Sequence, residues 1–197
     1  MAISDAARDL ILETEGFSSK PDWPGGQSGI TIGFGYDLGY VTVDQFESDW
    51  DELVRRDALP RLSAVVGLRG LRARNRVGTL SDIRIARRAA EQVFGAKTLP
   101  LYELRAAQAF PGLDALPEDV RGALVSLVYN RGTSMVDRSP EDRRREMRAI
   151  RDAVAAGDLA AIAAQLRSMK RLWEGKGLDG LIARREDEAQ LVESAIA

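Results

Sequence analysis

Gly29-Ile30-Thr31-Ile32-Gly33-Phe34-Gly35-Tyr36-Asp37-Leu38-Gly39 is the stretch on which the architecture turns. Ile30, Ile32, Phe34 and Tyr36 alternate with Thr31, Gly33, Gly35 and Asp37, which is the period-2 pattern of a strand. A straight strand would hold Thr31 and Asp37 about 20 Å apart, at about 3.3 Å per residue. Gly33-Phe34-Gly35 instead suits a three-residue hairpin loop. Thr31 and Asp37 are then equidistant from the turn. As cross-strand partners their Cβ atoms lie about 5 Å apart. Nowhere else does the chain give a convincing strand signal.

Upstream, residues 3–15 read as a helix that Ser4 can cap, with Ala7, Leu10, Ile11 and Thr14 on one face. Gly16 suits the position that ends it. Glu15 follows Ile11 by one helical turn, so it projects from the apolar face in a partly desolvated setting suited to a general acid. Residues 17–28 carry Pro21, Pro24, Gly25 and Gly26 and read as turns.

Downstream the pattern is helical almost to the end. Thr42-Val43-Asp44-Gln45 matches a capping box and opens a helix to about Leu59, closed by Pro60. Residues 61–80 read as irregular. Ser81 opens a helix to Phe94 that Gly95 stops, and another spans Pro100 to Phe110. Pro117 begins the most apolar helix, with Gly132 as its stop. Ser139-Pro140-Glu141-Asp142 starts a helix to Gly157, Asp158 caps the next to Trp173, and Leu178–Ile196 is the last. The expected fold is α+β, mainly α. It is one domain with a small lobe around one β-hairpin (1–60) and a larger all-helical lobe (61–197).

Composition narrows the chemistry. The 197 residues suffice for one domain with a core. With 28 basic and 30 acidic residues the formal charge is -2, so the whole molecule is no polyanion binder, although Arg143-Arg144-Arg145 and Arg87-Arg88 are local clusters. There is no cysteine, hence no disulfide and no thiolate metal site. There is no histidine, which removes the commonest general base and the usual zinc ligand. Proton chemistry falls to Asp and Glu, with no cofactor and no metal expected. No apolar run approaches the roughly 20 residues of a membrane span. The N-terminus lacks the basic start of a signal peptide, so synthesis in the cytoplasm is expected.

Each candidate also has a plain structural reading. Glu15 is an acid near a helix end, where it is slightly unfavourable for the dipole. Thr31 and Asp37 are ordinary strand and turn residues, and Asp22 in Pro21-Asp22-Trp23-Pro24 is a turn former. Asn130 and Arg131 are a polar fringe on a helix end. Arg184 and Arg185 are a solvated face paired with Glu186 and Glu188. Trp23, Trp50 and Trp173 read as core.

Taken together, Glu15-Gly16, Thr31-Ile32-Gly33-Phe34-Gly35, Leu127-Val128-Tyr129-Asn130-Arg131-Gly132 and Leu181-Ile182-Ala183-Arg184-Arg185-Glu186-Asp187-Glu188 resemble the phage-type lysozymes of glycoside hydrolase family 24, in their pesticin-like variant. The resemblance spans nearly the whole chain and is most specific in its first two motifs. It implies a lysozyme-like fold and a muramidase that cleaves the β-1,4 bond between N-acetylmuramic acid and N-acetylglucosamine. By that match Glu15 is the general acid and Thr31 helps hold the attacking water. Arg184 matches an arginine near the catalytic glutamate, and Asn130 and Arg131 are candidate glycan contacts. The usual family spacing would place the second carboxylate at Pro24. The pesticin-like pattern puts it at Asp37, which the hairpin also favours, and Asp22 is the alternative. Tyr36 stands where many members have a structural histidine.

The implied reaction is inverting hydrolysis, with carboxyls about 6.5–9.5 Å apart and an extended glycan bound between the lobes. The expected partner is the peptidoglycan glycan strand, acted on by a monomer at the bacterial wall, without nucleic acid. A phage endolysin and a secreted antibacterial effector share these features. A lytic transglycosylase needs one acid and no water-positioning pair. A lysozyme-like module that only binds glycan or protein is the non-catalytic alternative.

Overall fold

The computed structural model describes residues 2–137 and 140–196. Ser139, expected to open a helix, lies outside the described residues. By its contacts the chain divides into two units, Glu15–Leu99 and Met1–Thr14 with Pro100–Ala197. The segment 61–99 therefore groups with the hairpin, whereas the sequence reading drew its boundary at residue 60.

In the unit Glu15–Leu99 three strands form one antiparallel sheet: β1 (Ser18–Asp22), β2 (Thr31–Gly33) and β3 (Tyr36–Asp37), in that order. Thr31 pairs with Asp37 and Ile32 with Tyr36, the register expected of a Gly33-Phe34-Gly35 loop. Gly33 and Gly35 adopt φ of +61° and +73°, which L side chains rarely accept. Gly33 is also required sterically, because a Cβ there would lie 2.8 Å from the Ala90 Cβ. Phe34 is buried against Phe17 and Phe94, at centroid distances of 5.4 and 6.2 Å.

Strand β1 corrects the expectation of turns in this stretch. Ser-Ser-Lys-Pro-Asp has no apolar alternation, since the strand lies at the sheet edge and only Pro21 is buried. An edge strand tolerates a proline, which has no N–H to donate.

The helices of this unit are shorter than their capping signals suggest. Helix α2 (Val43–Trp50) starts as expected, with Thr42 accepting from Gln45 N, but ends at Trp50. Pro60 does not close it; it sits in the first turn of a short helix, α3 (Leu59–Ser63), where a missing N–H does no harm. The stretch expected to be irregular holds α3 and α4 (Leu71–Val77). Helix α5 spans Arg87–Val93. Gly95 does not stop the chain: a five-residue π turn (Phe94–Thr98) carries it into α6 (Leu99–Ala109).

In the other unit α1 (Asp5–Glu15, its last residue assigned to the first unit) is capped by Ser4, whose Oγ accepts from Ala7 N. Helix α7 (Glu118–Arg131) is buried from Gly122 to Val128 and forms the centre of the core. A helix that is apolar on all sides belongs in an interior. Helix α7 packs against α10 (Asp179–Ser194), which packs on α9 (Leu159–Ser168, capped by Asp158), which in turn packs on α8 (Arg145–Ala156). Helix α8 begins six residues later than expected.

Two features lock this unit. A Cβ on Gly122 would lie 2.0 Å from the Ala7 Cβ, so the α7 backbone packs directly on the Ala7 methyl of α1. Arg167 on α9 pairs with Glu186 (3.0 Å) and Glu193 (2.5 Å) on α10, and Lys170 also pairs with Glu186. These partners hold the Glu186 carboxyl at about 2.

Two outcomes follow for stability. Gly122→Ala gains about 1 kcal/mol of helix propensity but drives the two helices apart. A net loss of roughly 1–2 kcal/mol is expected in urea denaturation, and a more stable variant would contradict the close approach. Glu186 is depressed in the folded chain, so its contribution is complete above the ordinary glutamate range and is lost as pH falls toward about 2. Glu186→Gln should therefore be less stable than the parent at pH 6, and the two curves should converge near pH 2.

Candidate active site

The acid/base candidates Glu15, Thr31 and Asp37 fall in one unit, and Asn130, Arg131 and Arg184 in the other. Glu15 is the half-buried last residue of α1. Gly16, at φ +70°, turns the chain out of the helix, and Phe17 leads into β1. The helix ends here because Gly16 takes the left-handed conformation that closes helices.

Thr31 sits in the middle strand between two aspartates. On one side its register partner is Asp37, and on the other it is Asp22. The Thr31 hydroxyl donates to the Asp22 carbonyl at 3.3 Å. Hairpin geometry thus does not single out Asp37, as the sequence alone suggests. Once β1 is recognised, both aspartates are register partners of Thr31, and Asp22 is a strand residue rather than a turn former.

The two aspartates differ in what holds them. Asp37 Oδ1 accepts from Gly29 N (3.0 Å) and Gly39 N (2.8 Å), and Oδ2 from Gly29 N (3.2 Å). The two glycines approach so closely that a Cβ on Gly29 would lie 2.3 Å from both Asp37 Oδ1 and Gly39 N. Asp37 is a clamp on this crossing. Asp22 is exposed at the end of β1.

Tyr36 lies beside Asp37 in sequence and serves the interior. Its hydroxyl donates to Asp49 Oδ2 at 2.8 Å, and its ring meets Trp50 edge-on at 5.5 Å. Asp49 is buried, accepts from Gln45 and pairs with Lys97 at 3.3 Å. Burial, then the bond to the Asp49 carboxylate, push the Tyr36 hydroxyl well above its ordinary range. It is a structural donor, not an acid.

Arg184 and Arg185 are not a solvated face. Both are buried on α10 against α7. Arg184 Nε donates to Ser126 Oγ at 3.1 Å and Nη2 to Ser126 O at 3.1 Å. Arg185 Nη2 donates to Glu188 Oε1 at 2.6 Å, and Nη1 reaches Asn130 Oδ1 at 3.4 Å. Glu188 is fully buried, which pushes its carboxyl up against the pull of both arginines. Glu186 pairs with Arg167 and Lys170 instead. Asn130 is exposed at the end of α7, and Arg131 is half-buried with its guanidinium 5.1 Å above the Trp173 ring. Trp50 and Trp173 are core residues as expected, whereas Trp23 is only half-buried.

The matching family model is a domain of unknown function (DUF8812) over residues 11–103, nearly the span of the unit that holds the sheet. No functionally curated protein matches the chain. Among solved structures, the active form of P1 phage endolysin Lyz is similar, with a TM-score of 0.60 and 18% identity over 99% of this chain and 86% of that one. The fold is lysozyme-like. It is α+β and mainly α, with a small antiparallel sheet.

The clamp and the exposed strand end predict opposite sensitivities. Asp37→Ala leaves the buried Gly29 and Gly39 N–H groups without their acceptor and should cost about 1–3 kcal/mol. Asp22→Ala should stay within about 0.5 kcal/mol of the parent. Guanidinium unfolding of both variants checks this. Equal losses would remove the distinction.

Proposed function

We propose that the chain is a peptidoglycan hydrolase, a muramidase that cleaves the β-1,4 bond between N-acetylmuramic acid and N-acetylglucosamine by acid/base catalysis. The observation that carries this is the sheet register. In it Thr31 is the strand partner of both Asp22 and Asp37, downstream of a half-buried glutamate at a helix end. The likeness to a phage endolysin supports the fold in which such an arrangement would work, and the motif resemblance supplies the substrate.

In this mechanism Glu15 protonates the glycosidic oxygen, and a water held near Thr31 attacks the anomeric carbon from the opposite face. A carboxylate must take the proton of that water. Both aspartates are within the sheet register of Thr31. The oxygens of Asp37 already accept backbone N–H bonds, which favours Asp22 as the base and Asp37 as the residue that fixes the hairpin. Asn130, Arg131 and Arg184 would act in glycan binding or in positioning. Arg184, bound to Ser126, suits positioning better than direct contact.

The second reading is a lytic transglycosylase, which needs only Glu15. The two separate by product: hydrolysis leaves reducing ends, transglycosylation leaves 1,6-anhydro ends, and mass spectrometry of digested peptidoglycan distinguishes them.

Glu15→Gln keeps the shape and removes the proton donor. Lysis of purified peptidoglycan should fall by at least about 100-fold, with the thermal midpoint unchanged within a few degrees. Undiminished lysis would exclude the assigned acid. Asp22→Asn and Asp37→Asn, assayed beside it, identify the base as the one whose loss abolishes turnover without loss of stability.

A further inference from the structure

Helix α7 ends in Asn130 and Arg131, and beside this end lies a cavity of about 640 Å³. Arg131, Arg143, Arg144 and Trp173 line it together with Asp137, so three guanidiniums face one carboxylate. The volume is that of a site for a small organic molecule.

The arginines here differ from those elsewhere in the same unit. Arg167, Arg171 and Arg185 each bind a carboxylate at 3.0 Å or less. Among the described residues the ion pair of Arg143 is a loose contact with exposed Glu141, at 3.5 Å. Among the described residues Arg131 and Arg144 make no ion pair and bond instead to backbone carbonyls. Arg131 Nη2 donates to Arg143 O at 2.7 Å, and Arg144 Nη1 to Arg131 O at 3.1 Å.

Arg131 is the most constrained of the group. Its Nε is buried and has no acceptor among the described residues. Its guanidinium carbon lies 5.1 Å from the centre of the Trp173 ring. Burial, then the nearby Arg144, Arg185 and Arg143 charges, push it down to about 10. Concentrating like charges at a half-buried site is unfavourable unless an anion relieves it. Guanidiniums bind planar or tetrahedral oxyanions through paired N–H donors.

We propose that this cavity is an oxyanion-binding site, which takes a carboxylate or phosphate group carried by a larger ligand through Arg131 and Arg144. The site shares Arg131 with the glycan-binding role proposed above but involves neither Glu15 nor turnover, so anion binding tests it separately from lysis.

The test is isothermal titration of the full-length protein at low ionic strength with two probes, inorganic phosphate and N-acetyl-D-alanine. Saturable binding of at least one probe is expected, weakened about tenfold or more by Arg144→Gln and largely restored by Arg144→Lys. The preferred probe identifies the anion as phosphate or carboxylate. A Trp173 fluorescence change on binding would place the ligand against that ring. Arg131→Gln should abolish binding; because Arg131 is half-buried, its thermal midpoint is measured alongside. If neither probe binds at 20 mM (about a thousandth-molar affinity would be seen easily), or if folded Arg144→Gln binds as the parent does, the proposal is overturned.

Discussion

The Asp37 carboxylate closes the crossing of Gly29 over Gly39, and much of the sheet-bearing unit is organised by that closure. Two backbone segments approach until no side chain fits between them, and the aspartate bonds to the N–H of both. The same crossing carries Leu38 N to Ile30 O at 2.9 Å, which extends the hairpin pairing by one residue. It then recruits later sequence. Gly67 N donates to Leu38 O and Gly70 N to Ser28 O, each at 2.9 Å, and Arg69 packs its Cγ against Gly39. A short sheet of this kind has little stability alone, and these bonds tie it to the helices that follow.

A carboxylate used in this way is poorly placed to do chemistry as well. A general base needs an oxygen that can reach water, and backbone donors engage both Asp37 oxygens. Under the proposed mechanism, the strand on the other side of Thr31 offers a second carboxylate. Asp22 occupies the equivalent register position, is exposed, and is the residue whose backbone carbonyl receives the Thr31 hydroxyl. In this arrangement Thr31 divides two duties between two aspartates. One holds the hairpin, and the other is available to solvent.

What was legible in the sequence is what is decided locally. The hairpin register follows from alternation and two glycines with positive φ, and the helix caps at Ser4, Thr42 and Asp158 act within one turn. What was not legible depends on distant partners. Strand β1 exists only because β2 pairs with it, so its polar sequence carries no strand pattern. Gly95 has a helical-compatible conformation and open space around it, so nothing forces a stop there. The i, i+3 and i, i+4 spacing of Arg184, Arg185 and Glu188 looks like a surface face. It is buried because Ser126 on α7 presents a hydroxyl and a carbonyl to it.

The same distinction explains how a chain of charge -2 concentrates positive charge at one place. Acids and bases nearly balance in number, but they do not balance in space. The helical unit uses its carboxylates to neutralise arginines at packed contacts: Glu146 with Arg171, Glu188 with Arg185, and Glu186 with Arg167. Glu146, Glu188 and Arg185 are fully buried, so salt would screen their contacts less than an exposed pair. The arginines at the end of α7 donate to backbone carbonyls and line a cavity. Net charge is therefore a poor guide to what this protein attracts. Glu146, Glu186 and Glu188 are committed to packed ion pairs, which leaves the guanidiniums around Trp173 to set the local field.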